Sequence, residues 1–186
     1  MKKSVFRFLT ALSVCCLAMT TLFSCIDFHA GDKGKLNGKG VYKNKEGHCY
    51  KGEFVNGKRE GKGRLETKTF VYDGSFKNGK LNGSGRIKFL GSGHEYKGDF
   101  KDNEIDGRGV FKWSNGDVYE GEIRHGKREG KGRTQFSNGD IYEGEYKNGI
   151  QHGMGRLIFA DGKVNEGRFN NGFPEEGVIK PSKCAK

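Results

Sequence analysis

The sequence is poor in several features of ordinary globular domains and enzymes. Proline occurs twice, and hydrophobic residues make up 33% of the chain, against roughly 45–50% in typical domains. A thick core between two layers is therefore not expected. The sequence contains no P-loop, no nucleophile elbow and no zinc motif, and its five histidines lack ligand-like spacing. We expect no metal, no cofactor and no enzymatic activity.

Glycine and aromatic side chains are what the sequence has in excess. Glycine accounts for 32 of the 186 residues, more than twice the roughly 7% typical of proteins. Aromatic residues reach 12%, which argues against disorder because disordered chains contain few of them. Many glycines and rings with few aliphatic side chains indicate numerous tight turns and a thin core.

The N-terminal segment has the features of a secretory signal. Residues 1–7 carry three positive charges, and residues 8–24 carry no charge, over a length shorter than the ~20 residues of a transmembrane helix. Leu22-Phe23-Ser24-Cys25 resembles the lipobox of bacterial lipoproteins. The resemblance implies that a signal peptidase removes residues 1–24 and that acyl chains on Cys25 anchor the mature chain to a membrane of the bacterial cell envelope. Unlipidated cleavage near Ser24 and an uncleaved anchor are the alternatives.

Charge and cysteine content add two further expectations. The formal charge is +11, and removal of the signal takes away three positive charges and leaves +8. A basic chain favours anionic partners such as lipid headgroups or acidic glycans, whereas export argues against nucleic acid. Beyond Cys25 the mature chain keeps Cys49 and Cys184. An oxidising compartment permits a disulfide between them, but their separation along the repeats described next argues against it.

A segment of about 23 residues recurs through most of the chain. The clear copies read Tyr-x-Gly, an acidic or small residue and then an apolar or aromatic one, followed in most copies by Asn-Gly and in all of them by Gly-x-Gly. They begin at Tyr50, Tyr72, Tyr96, Tyr119 and Tyr142, with a degenerate copy from Asn165 and a partial copy around Gly38–Gly40. Period-2 spacing places the tyrosine and glycine on one strand face, and Asn-Gly favours a hairpin turn. Each copy therefore predicts a β-hairpin.

The two faces of the predicted strands differ in chemistry. On one face we expect neighbouring rings to cover the bare backbone of glycines, including Gly98, Gly121 and Gly144. On the other face, acidic residues of the first strands are expected to pair with arginines of the return strands. The acidic residues are Glu53, Asp99, Glu122 and Glu145, and the arginines are Arg64, Arg86, Arg133 and Arg156. The alternative interpretation is that these four arginines form an anion-binding stripe.

The repeat resembles the MORN (membrane occupation and recognition nexus) repeat, whose copies read Tyr-Glu-Gly-Glu-Trp-Lys-Asn-Gly-Lys-x-x-Gly-x-Gly. The resemblance covers roughly residues 35–180 and implies an all-β fold, an elongated single-layer twisted antiparallel sheet of successive β-hairpins. The expected organisation is a signal peptide (1–24), a short tether (25–34), the repeat array (35–179) and a basic tail (180–186).

The resemblance also implies that partner segments dock on the aromatic-glycine face. The candidate contacts are Tyr50, Phe54, Tyr72, Phe76, Tyr96, Phe100, Trp113, Tyr119 and Tyr142. The alternative is that these rings only pack against one another. The favoured hypothesis is a non-enzymatic, membrane-anchored scaffold that binds a protein at the cell envelope. Binding of anionic lipid or envelope polymer through the basic surface, and a passive spacer, are the other hypotheses.

Overall fold

The structure is a computed structural model, which describes residues 36–175 and 179–180. These residues form fourteen β-strands and no helix. In chain order the strands are β1 (Gly38–Lys43), β2 (Cys49–Val55), β3 (Lys58–Glu66), β4 (Phe70–Lys77), β5 (Lys80–Phe89), β6 (Glu95–Lys101), β7 (Glu104–Lys112), β8 (Val118–Arg124), β9 (Lys127–Gln135), β10 (Ile141–Lys147), β11 (Ile150–Ile158), β12 (Val164–Asn170), β13 (Phe173–Pro174) and β14 (Ile179–Lys180).

Several expectations fall on other parts of the chain. The signal peptide, the tether, the lipidation of Cys25, most of the basic tail and Cys184 lie outside the described residues. Within the described ranges, no helix has the length and apolar character needed to cross a membrane.

The strands follow one another in a single sheet in chain order from β1 to β13, and β14 pairs with β12. Every pairing that the structure gives is antiparallel, as between β1 and β2 and between β11 and β12. This arrangement confirms the predicted all-β sheet of successive hairpins. The chain divides into two compact units, the first ending at Asp106 and the second beginning at Gly107.

The predicted Asn-Gly turns are confirmed. Asn56 and Gly57 have φ angles of 50° and 77°, both left-handed, as the tight turn that matches the twist of a hairpin requires. The other three Asn-Gly pairs, which begin at residues 78, 148 and 171, share this conformation. His125-Gly126 and Asp102-Asn103 adopt it as well, so the turn recurs where the dipeptide is absent.

The two glycines of each Gly-x-Gly have different roles. Gly52 lies opposite Gly63, but Glu53 lies opposite Glu60, so the ladder between β2 and β3 passes over Gly61 and its neighbour. Gly61 has a φ of 62°, which identifies a β-bulge at this glycine. The same shift occurs in the β4–β5, β8–β9 and β10–β11 pairs. In these four hairpins the first glycine therefore makes the bulge, and the second lies in the regular ladder.

The second glycine and the strand glycine opposite it form a floor for a tyrosine ring. A Cβ on Gly63 would lie 2.5 Å from Cε2 of Tyr50, and one on Gly52 would lie 2.6 Å from Cζ of the same ring. Tyr50 Oη donates a hydrogen bond to the carbonyl of Glu53 (3.0 Å). Tyr72, Tyr119 and Tyr142 cover their glycine pairs in the same way. The predicted packing is confirmed at Gly121 and Gly144, and at Gly98 it stays a prediction.

The tyrosine rings also link neighbouring hairpins. Tyr50 makes edge-to-face contacts with Phe54 on its own strand and with Phe76 on β4, both at 5.0 Å between ring centroids. Tyr142 makes the corresponding contacts with Tyr146 and Phe169. Such pairs contribute about 0.5–1.5 kcal/mol each beyond the burial of their area. Rings lying on glycines thus bury one face without a second layer of structure.

Candidate functional site

Eight of the nine predicted groove contacts are core side chains. Their exposed fractions lie between 0 and 4%. These eight are Tyr50, Phe54, Tyr72, Phe76, Tyr96, Phe100, Tyr119 and Tyr142. Their burial favours the interpretation that they pack the sheet. Trp113 is half-buried and is the one candidate of the nine outside the buried core, so contact with a partner stays a prediction centred on this residue.

Phe136 and Phe159 occupy, in the two following hairpins, the place that Trp113 occupies in its own. Trp113, Phe136 and Phe159 each precede a turn that contains Gly, and each donates its backbone N–H across that turn, at 2.8 to 2.9 Å. The turns lie side by side, because Asp117 accepts from the backbone N–H of Ser137 and Asp140 accepts from that of Ala160 (both 2.8 Å). All three rings are half-buried. We call these three residues the ring row.

The sequence analysis did not single out Phe136 and Phe159. The signal that could have found them is their position. Each occupies the same place relative to its turn as Trp113 does. The residue just before the turn is therefore a better indicator of an accessible ring than the tyrosine that opens each repeat.

Two arginines lie on the aromatic face, where no charge was expected. The Arg128 guanidinium lies over the rings of Trp113, Tyr119 and Tyr146, at 5.6, 5.7 and 5.0 Å from their centroids. It also donates a hydrogen bond to the carbonyl of Gly149. Burial lowers the pKa of Arg128, and the ring faces compensate for part of the lost hydration by cation–π attraction.

Arg59 repeats this arrangement in the first unit. It lies over the rings of Tyr50 and Phe76, donates to the carbonyl of Gly79 (2.6 Å), and has a pKa lowered by burial. The residue after each arginine completes the contact, since Glu60 accepts from the backbone N–H of Asn78 as Glu129 does from Asn148. Each Arg-Glu pair therefore holds the Asn-Gly turn of the next hairpin.

We call the pairs Arg59-Glu60 and Arg128-Glu129 the turn clamps. The sequence contained a signal for them that the sequence analysis missed. Lys-Arg-Glu-Gly-Lys-Gly-Arg occurs twice without change, at 58–64 and 127–133. The corresponding positions of Arg59 in the intervening hairpins are Leu81 and Ile105, both buried. An arginine at a position that otherwise holds aliphatic side chains indicates a guanidinium that packs against rings.

The predicted arginine stripe is largely neutralised by acidic neighbours. Arg64 pairs with Asp73 (2.8 Å) and Glu66 (2.7 Å). Arg86 pairs with Glu95 (2.5 Å). In the second unit, Arg133 pairs with Glu143 (3.1 Å), whereas Arg156 is exposed and has no ion pair among the described residues. Anion binding by these four arginines stays a prediction.

The predicted acidic partners of these arginines were wrong. Register places Arg133 opposite Glu120 and Glu143, the residues that follow the tyrosines, and not opposite Glu145. Glu122 pairs instead with Arg108 of β7 (3.3 Å). The side chains of Glu53, Glu122 and Glu145 reach the backbone of the bulge glycines, because the bulge moves the return strand by two residues.

One line of charges distinguishes the first unit from the second. Lys51, Arg64, Asp73, Arg86 and Lys97 lie on successive strands β2 to β6, each directly opposite the next. We call these five exposed residues the 51–97 row. The equivalent positions of the second unit are Glu120, Arg133, Glu143, Arg156 and Glu166. Charges alternate there, whereas two like-charged pairs interrupt the 51–97 row.

Two further observations concern possible metal ligands and cysteine in the part of the chain that the structure describes. Within it, no group of three or more His, Cys, Asp or Glu side chains could hold a metal ion. Cys49 is half-buried and is not disulfide-bonded.

Comparison with solved structures finds matches of low sequence identity. The TCP domain of Drosophila melanogaster SAS-4 (dCPAP), in complex with a proline-rich motif of Ana2 (dSTIL), is 12% identical with a TM-score of 0.46, covering 78% of this chain and 85% of that one. The TCP10 domain of Danio rerio CPAP with a peptide of STIL is 9% identical with a TM-score of 0.46, covering 72% and 62%. The same Danio rerio domain described without a peptide is 14% identical with a TM-score of 0.43, covering 77% and 68%.

Sequence comparison is more specific. No curated protein matches the chain. The MORN repeat, in contrast, matches six segments, at residues 32–49, 50–68, 72–89, 96–118, 119–141 and 142–164. Five of these segments begin at the tyrosines whose rings cover glycines or occupy the core of the sheet. Because the segments together cover more than half of the sequence, the chain belongs to the MORN repeat family.

Proposed function

We propose that the chain is a non-enzymatic MORN repeat scaffold that binds a protein partner at a membrane of the bacterial cell envelope. A lipid on Cys25 would hold the array at the membrane surface. This part of the proposal rests on the uncharged stretch at residues 8–24 and on the lipobox-like sequence that ends at Cys25. More than one acyl chain is needed for stable attachment, and lipidation of this kind supplies at least two.

The observation that carries protein binding is the ring row. The tyrosines that open the five clear repeats are almost completely buried, whereas Trp113, Phe136 and Phe159 are each only half-buried. Aromatic side chains, Trp and Tyr above all, are enriched at protein interfaces and among the residues that dominate binding energy.

The turns beneath the ring row are already ordered. Asn115 and Asn138 each accept a hydrogen bond from the backbone N–H two residues on, at 3.1 and 3.0 Å. Hydrogen bonds from Ser137 to Asp117 and from Ala160 to Asp140 join the turns to one another. A partner that docks there would pay little entropy for ordering the surface, which favours the ring row as its contact.

Capture from the native envelope tests the proposal. The full-length protein would be cross-linked in place, recovered under denaturing conditions, and its attached proteins identified by mass spectrometry. We expect one or a few proteins to be recovered with the wild type and to be lost with Phe136→Ala and with Trp113→Ala. Leu90→Ala is the matched control, because Leu90 is an exposed apolar residue of the first unit.

The two variants separate binding from folding. Trp113 packs on Phe111 at 4.6 Å between ring centroids and lies against Arg128, so its removal could disturb the sheet, whereas Phe136→Ala removes a ring outside that cluster. Thermal melting of each variant reports the fold. Equal recovery of the same proteins with the wild type and with Phe136→Ala, from equally folded samples, would contradict binding through the ring row.

A further inference from the structure

The 51–97 row carries an excess of positive charge that the sheet does not require. Lys51 lies opposite Arg64, and Arg86 lies opposite Lys97. Like charges directly opposite each other on neighbouring strands are destabilising. Arg64 and Arg86 have acidic neighbours, whereas Lys51 and Lys97 have no ion pair among the described residues. The two lysines therefore add charge at a cost to the stability of the fold.

The second unit shows that the fold accepts the opposite charge at these positions. Lys51 and Lys97 each follow the tyrosine that opens a repeat, and the residue in the same place is Glu120, Glu143 or Glu166 in the later copies. Each glutamate lies opposite at least one arginine. Lysine at the equivalent positions of the first unit thus calls for an explanation other than folding.

The positive charge is confined to a narrow line. Residues two positions away along the same strands share the face of the row. Ten such positions flank the five row residues, and they hold two lysines, Lys62 and Lys88, and four carboxylates, Glu53, Glu66, Glu95 and Asp99. A flat anionic surface would contact these flanking positions, with their four carboxylates, as well as the row. A single extended chain would meet the row alone.

We propose that the 51–97 row binds an extended acidic segment of the protein partner, an inference that rests on the proposed function. Neighbouring strands lie about 4.8 Å apart, so the five residues span roughly 19 Å. An extended peptide advances about 3.3 Å per residue, and its alternate side chains point the same way. About six residues with glutamate or aspartate at alternate positions would follow the row and bring carboxylates to both pairs of cations.

Fluorescence anisotropy with a labelled peptide tests the inference. The probe is a peptide of about eight residues with glutamate at alternate positions, titrated against the detergent-solubilised full-length protein at low salt. Lys51→Glu/Lys97→Glu is expected to weaken binding by about tenfold, since two attractive charge pairs become repulsive. Binding by the wild type should also fall as salt screens the charges.

The melting temperature supplies an independent readout of the same variant. Glutamate at residues 51 and 97 would lie opposite Arg64 and Arg86, so the row variant is expected to be as stable as the wild type or more stable. Lys127→Glu/Lys147→Glu is the matched control, because it changes the net charge equally at exposed lysines of the second unit. The control should bind the peptide as the wild type does.

Three outcomes would overturn the inference. The first is that the wild type does not bind the peptide, and the second is that the row variant and the control weaken peptide binding equally. The third is that the protein binds vesicles containing anionic lipid through the row but does not bind the peptide. The last result would assign the row to a lipid surface. None of these outcomes changes whether a protein is captured through the ring row. The experiments can therefore refute binding of an acidic segment without refuting the proposed function.

Discussion

Replacement of Gly121 by alanine is the sharpest test of how a sheet one layer thick holds together. A Cβ at Gly121 would lie 2.5 Å from Oη of Tyr119, 2.6 Å from Cα of Gly132 and 2.7 Å from the carbonyl oxygen of Lys131. Two of these three atoms belong to the backbone of the neighbouring strand, so rotation of a side chain cannot relieve the overlap. Overpacking of this kind typically costs about 1–3 kcal/mol.

The ring would have to move as well. Tyr119 is fully buried, and its hydroxyl donates a 2.7 Å hydrogen bond to the carbonyl of Glu122. Loss of such a bond costs about 0.5–1.5 kcal/mol. We therefore expect Gly121→Ala to lower the free energy of unfolding by at least about 1 kcal/mol, which lowers the melting temperature by roughly 2–4 °C for a chain of this size.

Gly167 supplies the matched control within the same unit. It occupies the same place in the last copy, but Asn165 replaces the tyrosine there. Apart from its two chain neighbours, no atom of the described residues lies within 4 Å of a Cβ built on Gly167. Neither glycine has a left-handed φ. Gly167→Ala should therefore be neutral or stabilise by about 0.4–1 kcal/mol, because alanine reduces the entropy of the unfolded chain.

Thermal melting and urea unfolding of both variants, followed by circular dichroism, measure the difference. The two substitutions are chemically identical, so a difference between them reports the ring and the strand that cover Gly121. If both variants shift the melting temperature by the same amount, the tyrosine-on-glycine packing does not stabilise the array.

Three further predictions concern the turn clamp at Arg128, the buried tyrosines and the lipid anchor at Cys25. Arg128→Leu leaves a turn carbonyl without its donor and removes the cation over three rings, so urea unfolding should show a loss of about 1–3 kcal/mol, whereas Arg124→Leu, at an exposed site, should show little. Burial raises the pKa of Tyr50 and of Tyr142 to about 12, so the folded state favours the neutral phenols. Their contribution to stability is complete below pH ~10, the pKa of an unfolded tyrosine, and is lost as the pH rises through 12. Tyrosinate absorbance should therefore rise together with loss of the β-sheet signal, and ionisation before that loss would contradict the burial. Metabolic labelling with a fatty-acid probe should mark the wild type and not Cys25→Ala, and equal labelling of both would contradict lipidation at that residue.

Much of the local structure could be predicted from consecutive residues. Asn56 and Gly57 both tolerate a positive φ, which is sufficient to predict a hairpin turn between two alternating segments. The spacing of Tyr119 and Gly121 was enough to predict a ring over a bare backbone, because residues two apart share a strand face. These predictions succeeded because each depends on the conformational preferences of neighbours in the chain.

The exposure of the rings was harder to predict. Tyr50 and Trp113 have similar character in the sequence, yet Tyr50 is almost fully buried and Trp113 is only half-buried. The difference depends on which side chains the next strands place beside each ring. Arg59 and Arg128 illustrate the same point, since their charge suggests solvent and their neighbours provide ring faces and a turn carbonyl.

The sequence by itself determined the repeat, the hairpins and the division into an aromatic and a charged face, because these follow from the allowed φ angles of Asn-Gly and from the period of two along a strand. Only the tertiary structure decided which residues lie opposite one another. The bulge at Gly61 shifts the ladder by two residues, and such a shift depends on hydrogen bonds between strands that no single strand encodes. This shift places Lys51 opposite Arg64 in one row, whereas the regular ladder between β9 and β10 pairs Arg133 with Glu143.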